Sequence, residues 1–159
     1  MSHSLRLIKI GMIMSIALFF TLVAIDNIID FDINLEGVHH VLSMDTIFAN
    51  SVLKWRAVVN LHLQTLAYYL IIAWEGLTAM VCWIGSVKLL LHYKKPEVEF
   101  EQAKATAFLG LFMGFLLYVV GFVVIGGEWF CMWQSSQWNA QGVAGLFASL
   151  ILLVMIFVK

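Results

Sequence analysis

Apolar positions along the chain gather into four long runs separated by polar stretches. A helix rising 1.5 Å per residue needs about 20 mainly apolar residues to cross a hydrocarbon core of roughly 30 Å. The first run, 7–25, is broken only by Lys9 and is closed by Asp26 and Asn27. The second, 63–91, carries a single acid, Glu75, near its middle. The third covers 105–125 and the fourth 143–158, with 139–142 leading into it. The pattern predicts an all-α membrane protein with one domain of four transmembrane helices, at about 7–26, 63–91, 105–126 and 141–158. The expected connections are loops 27–56 and 127–139 on the outer side and 92–104 on the cytoplasmic side. Arg6 and Lys9 ahead of an apolar run also suit a signal peptide, but the run has the length of a full span and no Ala-x-Ala site follows it. No period of 20 to 50 residues repeats, which excludes solenoid architectures.

The first outer loop is too long for a plain connection and has a periodicity of its own. Met44, Ile47, Phe48, Ser51, Val52 and Trp55 recur at helical spacing, while Asp45, Thr46, Asn50 and Lys54 take the opposite side. This predicts an amphipathic helix within an outer cap, started by Ser43 and with Asp45 at the positive end of its dipole. The second outer loop holds Trp129, Trp133 and Trp138, as an aromatic belt at the headgroup level would. A lid over the outer mouth of the bundle is the functional alternative. The pair Gly126-Gly127 offers backbone freedom to end the third span abruptly.

Composition sharpens the class. Of 159 residues, 62% are apolar or aromatic and 12% charged, against roughly 25% charged in soluble domains. A formal charge of -1 gives no reason to expect nucleic acid as a partner. Basic residues are retained on the cytoplasmic side of short loops. Arg6, Lys9, Lys88, Lys94, Lys95, Lys104 and Lys159 fall on one side, and only Lys54 and Arg56 on the other. Both termini of this multi-pass chain are therefore expected in the cytoplasm. Cys82 and Cys131 lie at different depths, so no disulfide is expected.

Glu75 is the sharpest candidate. A carboxyl at mid-membrane is costly unless it faces the protein interior and is neutral or partnered. Gln64, Tyr68, Ile71, Glu75, Thr78 and Cys82 share one helical face, which must then turn toward other helices. Thr21, Tyr118 and Ser149 are its expected neighbours. The stripe is either structural or a proton, ion or quinone-type site. Thr106, Gly110, Gly114 and Gly121 on span three, and Gly142, Gly145 and Ser149 on span four, suit close helix packing. In the cap, Lys54 or Arg56 is expected to pair with Glu128, with Asp45, Trp129 and Trp133 nearby. Glu36, His39 and His40 are weak candidates for an outer metal site, since no H-x-x-x-H pair or Cys/His set accompanies them. The histidines lie in a loop or near span ends, which disfavours haem. Neither G-x-S-x-G nor a glycine-rich phosphate loop occurs.

The stretches His39-His40-Val41-Leu42-Ser43-Met44-Asp45-Thr46, Trp55-Arg56-Ala57 and Gly127-Glu128-Trp129-Phe130-Cys131-Met132-Trp133-Gln134-Ser135 resemble the bacterial family of predicted small integral membrane proteins, domain of unknown function 2165. The resemblance covers nearly the whole chain. It implies four spans in a bacterial inner membrane, and it brings no activity and no catalytic residues. The leading functional expectation is non-enzymatic: an accessory or assembly subunit of a larger inner-membrane complex. A small transporter or proton-coupled protein using Glu75 is the alternative, and a quinone- or metal-dependent outer site is third. No cofactor is expected, with room left for a bound lipid or quinone. The expected partners are membrane lipids and other membrane-protein subunits or further copies of the chain.

Overall fold

In hydrocarbon every backbone polar group needs an internal partner, and each apolar run meets that demand as a helix. The computed structural model describes residues 2–159. In chain order, α1 is His3–Ile29, a shorter α2 is Phe31–Ser43, α3 is Leu61–His92, α4 is Glu97–Leu116 and α5 is Gln141–Val158. Between α4 and α5 the helix of α4 continues as a π-helix over Leu117–Trp129. Four helices are long and apolar enough to cross a membrane: α1, α3, α4 with its π-helical continuation, and α5. No strand occurs among the described residues. Glu97 and Glu99 occupy the positive end of the α4 dipole, so the helix begins well ahead of its apolar run.

The loop between α1 and α3 differs from the expected helix over its second half. The loop helix is α2, which ends at Ser43 instead of starting there. Met44 follows in the left-handed region at φ 52°, and Asp45 folds back to bond the His40 ring. Residues 44–51 form turns, followed by one 3-10 turn at Val52–Arg56. Met44 and Ile47 are buried as the periodicity suggests, but Val52 and Trp55 are 85% and 72% exposed. Their spacing therefore reflects separate turns and not one face.

α3 packs most extensively on α4 and α1. A Cβ on Gly85 would lie 2.5 Å from the Cα of Ala107, and one on Gly110 would lie 2.6 Å from the Cys82 sulfur. These two glycines let α3 and α4 approach backbone to backbone. Gly114 receives the Phe20 ring in the same way. Gly142 and Gly145 of α5 have nothing within 4 Å of a built Cβ, so the small residues there do not serve close packing. Gly126 and Gly127 have no positive φ. Gly127 instead leaves space for the Gln141 side chain, whose amide nitrogen would lie 2.5 Å from an added Cβ.

The end of the bundle carrying both termini is held by cations turned inward. Arg6 donates to the carbonyls of Tyr93 and Lys95 at the α3–α4 connection, at 3.0 and 2.6 Å. Lys9 donates to Val158 O and Lys104 to Lys159 O, satisfying carbonyls at the end of α5. All three side chains are buried. Cys82 and Cys131 are both free and buried.

Candidate functional site

The opposite end of the bundle, here the cap end, contains α2, the turns before α3 and residues 130–140. Its two loops are joined at several points. Thr46 Oγ1 donates to Ser135 Oγ at 2.9 Å, and Phe48 N–H to Gln134 Oε1 at 3.2 Å. The His40 ring stacks on Trp138 with centroids 4.8 Å apart, while its Nδ1 lies 2.8 Å from Asp45 Oδ2. Arg56 does not pair with Glu128. Its guanidinium lies over the Trp129 ring at 4.6 Å and donates to the Trp129 carbonyl at 3.3 Å. Glu128 accepts from Gln141 Nε2 at 3.0 Å. Lys54 is exposed, and among the described residues neither it nor Arg56 forms an ion pair with Glu128. A planar cation gains more from an aromatic face and a carbonyl at one place than from a solvated carboxylate. Trp133 is half exposed and meets Phe48 edge to face.

Beneath the cap, α3 carries Glu75, which is 2% exposed. Its partner comes from α1: Asn27 Nδ2 donates to Glu75 Oε2 at 2.7 Å. Tyr68, two turns earlier on α3, donates its hydroxyl to the Asn27 carbonyl at 2.9 Å and lies 3.2 Å from Asn27 Oδ1. Asn27 thus bridges the two polar side chains of α3. The helix α1 runs past the end of its apolar stretch to Ile29, and this extension sets Asn27 beside α3. Glu75 Oε1 receives no hydrogen bond from the described residues.

The other expected neighbours are engaged elsewhere. Thr21 donates to Ala17 O and accepts from Trp83 Nε1, and Ser149 donates to Gly145 O. Tyr118 belongs to a ring cluster with Phe20, Phe122 and Phe147, close enough to Glu75 to feel its charge but with no hydrogen bond to it. Of the polar stripe on α3, Gln64 donates to Val58 O at 2.6 Å and Thr78 to Trp74 O at 2.8 Å. Both are buried, yet neither bonds to Glu75. The site is therefore Glu75, Asn27 and Tyr68, and Asn27 is the member that sequence reasoning missed. An asparagine closing an apolar run was the available signal.

This triad lines a cavity of about 720 Å³ enclosed by α2, α3, the π-helix and residues 137–143. Its walls are largely apolar and aromatic, including Phe122, Phe130 and Trp138, with amide groups from Asn34, Gln137 and Asn139. Glu75 is the only Asp, Glu, Lys, Arg or His residue in the lining. The π-helix shapes one wall. Such helices rarely exceed a turn, whereas this one covers Leu117–Trp129 and closes with Phe130 N–H bonded to Ile125 O at 3.0 Å. Ile33, Leu70 and Val143 line the cavity and are also 67%, 63% and 54% exposed, and Gln137 and Asn139 of the cap are exposed as well, so it opens on the surface of the bundle.

Among the metal candidates, Glu36 lies 3.7 Å from His40 Nε2, and His39 does not join them. Among the described residues no group of three or more His, Cys, Asp or Glu is placed to hold a metal ion. No curated protein and no solved structure matches the chain. One family does: its model, described as a predicted small integral membrane protein, matches residues 5–159. With nearly the whole sequence covered, the chain belongs to the DUF2165 family of predicted small integral membrane proteins.

Proposed function

We propose that this protein is a proton-coupled membrane protein that binds a membrane-dissolved ligand in the cavity at its cap end, using Glu75 as the exchanging group. The observation that carries the reading is the cavity lining itself. It places one carboxyl, tethered by a single amide donor and with one oxygen unbonded, in an apolar space of about 720 Å³. An ionisable residue at mid-membrane that faces a cavity is by default a functional site on a proton, ion or substrate path. The excess of basic residues at the other end supports an orientation with the cap on the outer side of the membrane.

Infrared spectroscopy of the detergent-solubilised full chain tests this. A carboxyl band that is lost in Glu75→Gln, shifts promptly in D2O and titrates with pH is the expected result. A Glu75 carboxyl that neither exchanges with D2O nor changes with pH would overturn the proposal, because a sealed acid exchanges nothing.

The accessory-subunit reading retains one supporting observation. Val52, Trp55 and Val59 of the cap are 85%, 72% and 76% exposed, apolar side chains that the chain itself leaves largely open. Copurification with mass spectrometry tests it. A stoichiometric partner lost on Trp55→Ser would support a subunit role, and a lone protein would remove it.

A further inference from the structure

We infer that the cavity ligand is a lipophilic organic cation, with an apolar body and a single delocalised or substituted positive charge. This rests on the proposed proton exchange at Glu75 and adds the ligand's chemistry. Four features of the cavity point the same way.

Charge complementarity comes first. The lining has one acid and no Lys, Arg or His, so an anionic headgroup would meet no cation and would face a carboxyl. The nearby cap cation is already committed, since Arg56 lies over Trp129 and bonds its carbonyl. Geometry comes second: Glu75 Oε2 is fixed by Asn27 at 2.7 Å while Oε1 receives no donor from the described residues. A buried carboxylate with a free oxygen is an incomplete ion pair. Third, Tyr68, Phe122, Phe130 and Trp138 line the same space, and aromatic faces attract large, weakly hydrated cations. Fourth, exposed Ile33, Leu70 and Val143 give the opening an apolar side beside exposed Gln137 and Asn139, which suits a ligand with an apolar body.

The exchange balances without any further reactant. The protonated Glu75 carboxyl and a free cation give a Glu75 carboxylate paired with the bound cation plus one released proton. No covalent bond to the ligand forms. Opposing proton and cation gradients could then each drive the other across the site.

Tetraphenylphosphonium is a suitable probe, with tetraphenylborate as its anionic counterpart of matched shape and decylubiquinone as a neutral amphiphile. Calorimetry on the full chain in dodecyl maltoside, in weak buffer, reads binding and proton release together. The expected result is saturable tetraphenylphosphonium binding with about one proton released per site. Glu75→Gln should weaken it at least tenfold and abolish the release, and Glu75→Asp should retain part of both. Tetraphenylborate should not compete, and decylubiquinone should displace the probe poorly. Folding of each variant is read from its helical circular dichroism and detergent unfolding curve. Equal binding of the borate, tighter binding of the quinone, or phosphonium binding unchanged in Glu75→Gln would overturn the inference. If phosphonium fails to bind the wild type while the Glu75 infrared band still exchanges and titrates, the cation assignment falls and the proton-exchange reading stands. If the band is also inert, both fall.

Discussion

Removing the Asn27 amide is the most informative perturbation of the site. Its Nδ2 donates to Glu75 Oε2 at 2.7 Å, and it also receives the Tyr68 hydroxyl. Asn27→Ala deletes the first bond and the contact with Oδ1, but leaves Tyr68 its bond to the backbone carbonyl at 2.9 Å. The loss therefore concentrates on Glu75. A neutral hydrogen bond contributes about 0.5–1.5 kcal/mol net, and one to a charged group about 1.5–3. Interhelical bonds in membranes average about 0.6 kcal/mol and reach about 1.7, because the unfolded chain in the membrane also finds partners. With Glu75 2% exposed and no second donor in reach, a coupling above the membrane average, about 1 kcal/mol, is expected. The assay is a double-mutant cycle of Asn27→Ala and Glu75→Ala, read by reversible unfolding in mixed dodecyl maltoside and dodecyl sulfate. A coupling within about 0.3 kcal/mol of zero would refute the α1–α3 bridge.

Other parts of the account make separate predictions. Gly85→Ala should cost about 1–3 kcal/mol, since its new Cβ would press on the Ala107 backbone at 2.5 Å, whereas Gly142→Ala meets open space and should be neutral or slightly stabilising. The same unfolding assay reads both, and equal effects would contradict the α3–α4 contact. Lys9→Met should cost about 1 kcal/mol by leaving the Val158 carbonyl without its donor, which the same unfolding curves would register. Arg56→Lys should lose nearly as much cap stability as Arg56→Ala, because the stack on Trp129 is lost, while Glu128→Gln should leave the Arg56 effect unchanged in a thermal unfolding series. A membrane-impermeant maleimide applied to intact cells should label Asn50→Cys and miss Lys95→Cys, and the reverse pattern would invert the topology.

The four long helices were legible because span length and apolar composition leave no alternative in hydrocarbon. Glu75 was legible for the same reason, as an acid with no cation at its depth. Its partner was not. The stripe on α3 fixed the direction in which Glu75 faces but not which residue of another helix meets it, and Thr21, Tyr118 and Ser149 were as reasonable as Asn27 until the helices were placed. The outer loop does contain a helix, but earlier than expected: 44–55 repeats at helical spacing, yet a left-handed Met44 and the Asp45–His40 contact end the helix at Ser43. Such a turn depends on tertiary contacts that periodicity does not encode. The glycines of α4 announced a close contact, but its counterpart, Gly85, became visible only with α3 in place. Nothing in the sequence marked the π-helix over Leu117–Trp129, which forms one wall of the cavity.

Access of a membrane-soluble reagent to Glu75 is read by chemical modification with dicyclohexylcarbodiimide, which adds to a protonated carboxyl and leaves an N-acylurea. Peptide mass spectrometry on the full chain in lipid should find the adduct at Glu75, absent in Glu75→Gln and suppressed by tetraphenylphosphonium, while the exposed Glu36 and Glu128 react instead with a water-soluble carbodiimide. A Glu75 that stays unmodified at every pH, with the reagent shown to enter the same membranes, would contradict an accessible, proton-exchanging acid in an open cavity.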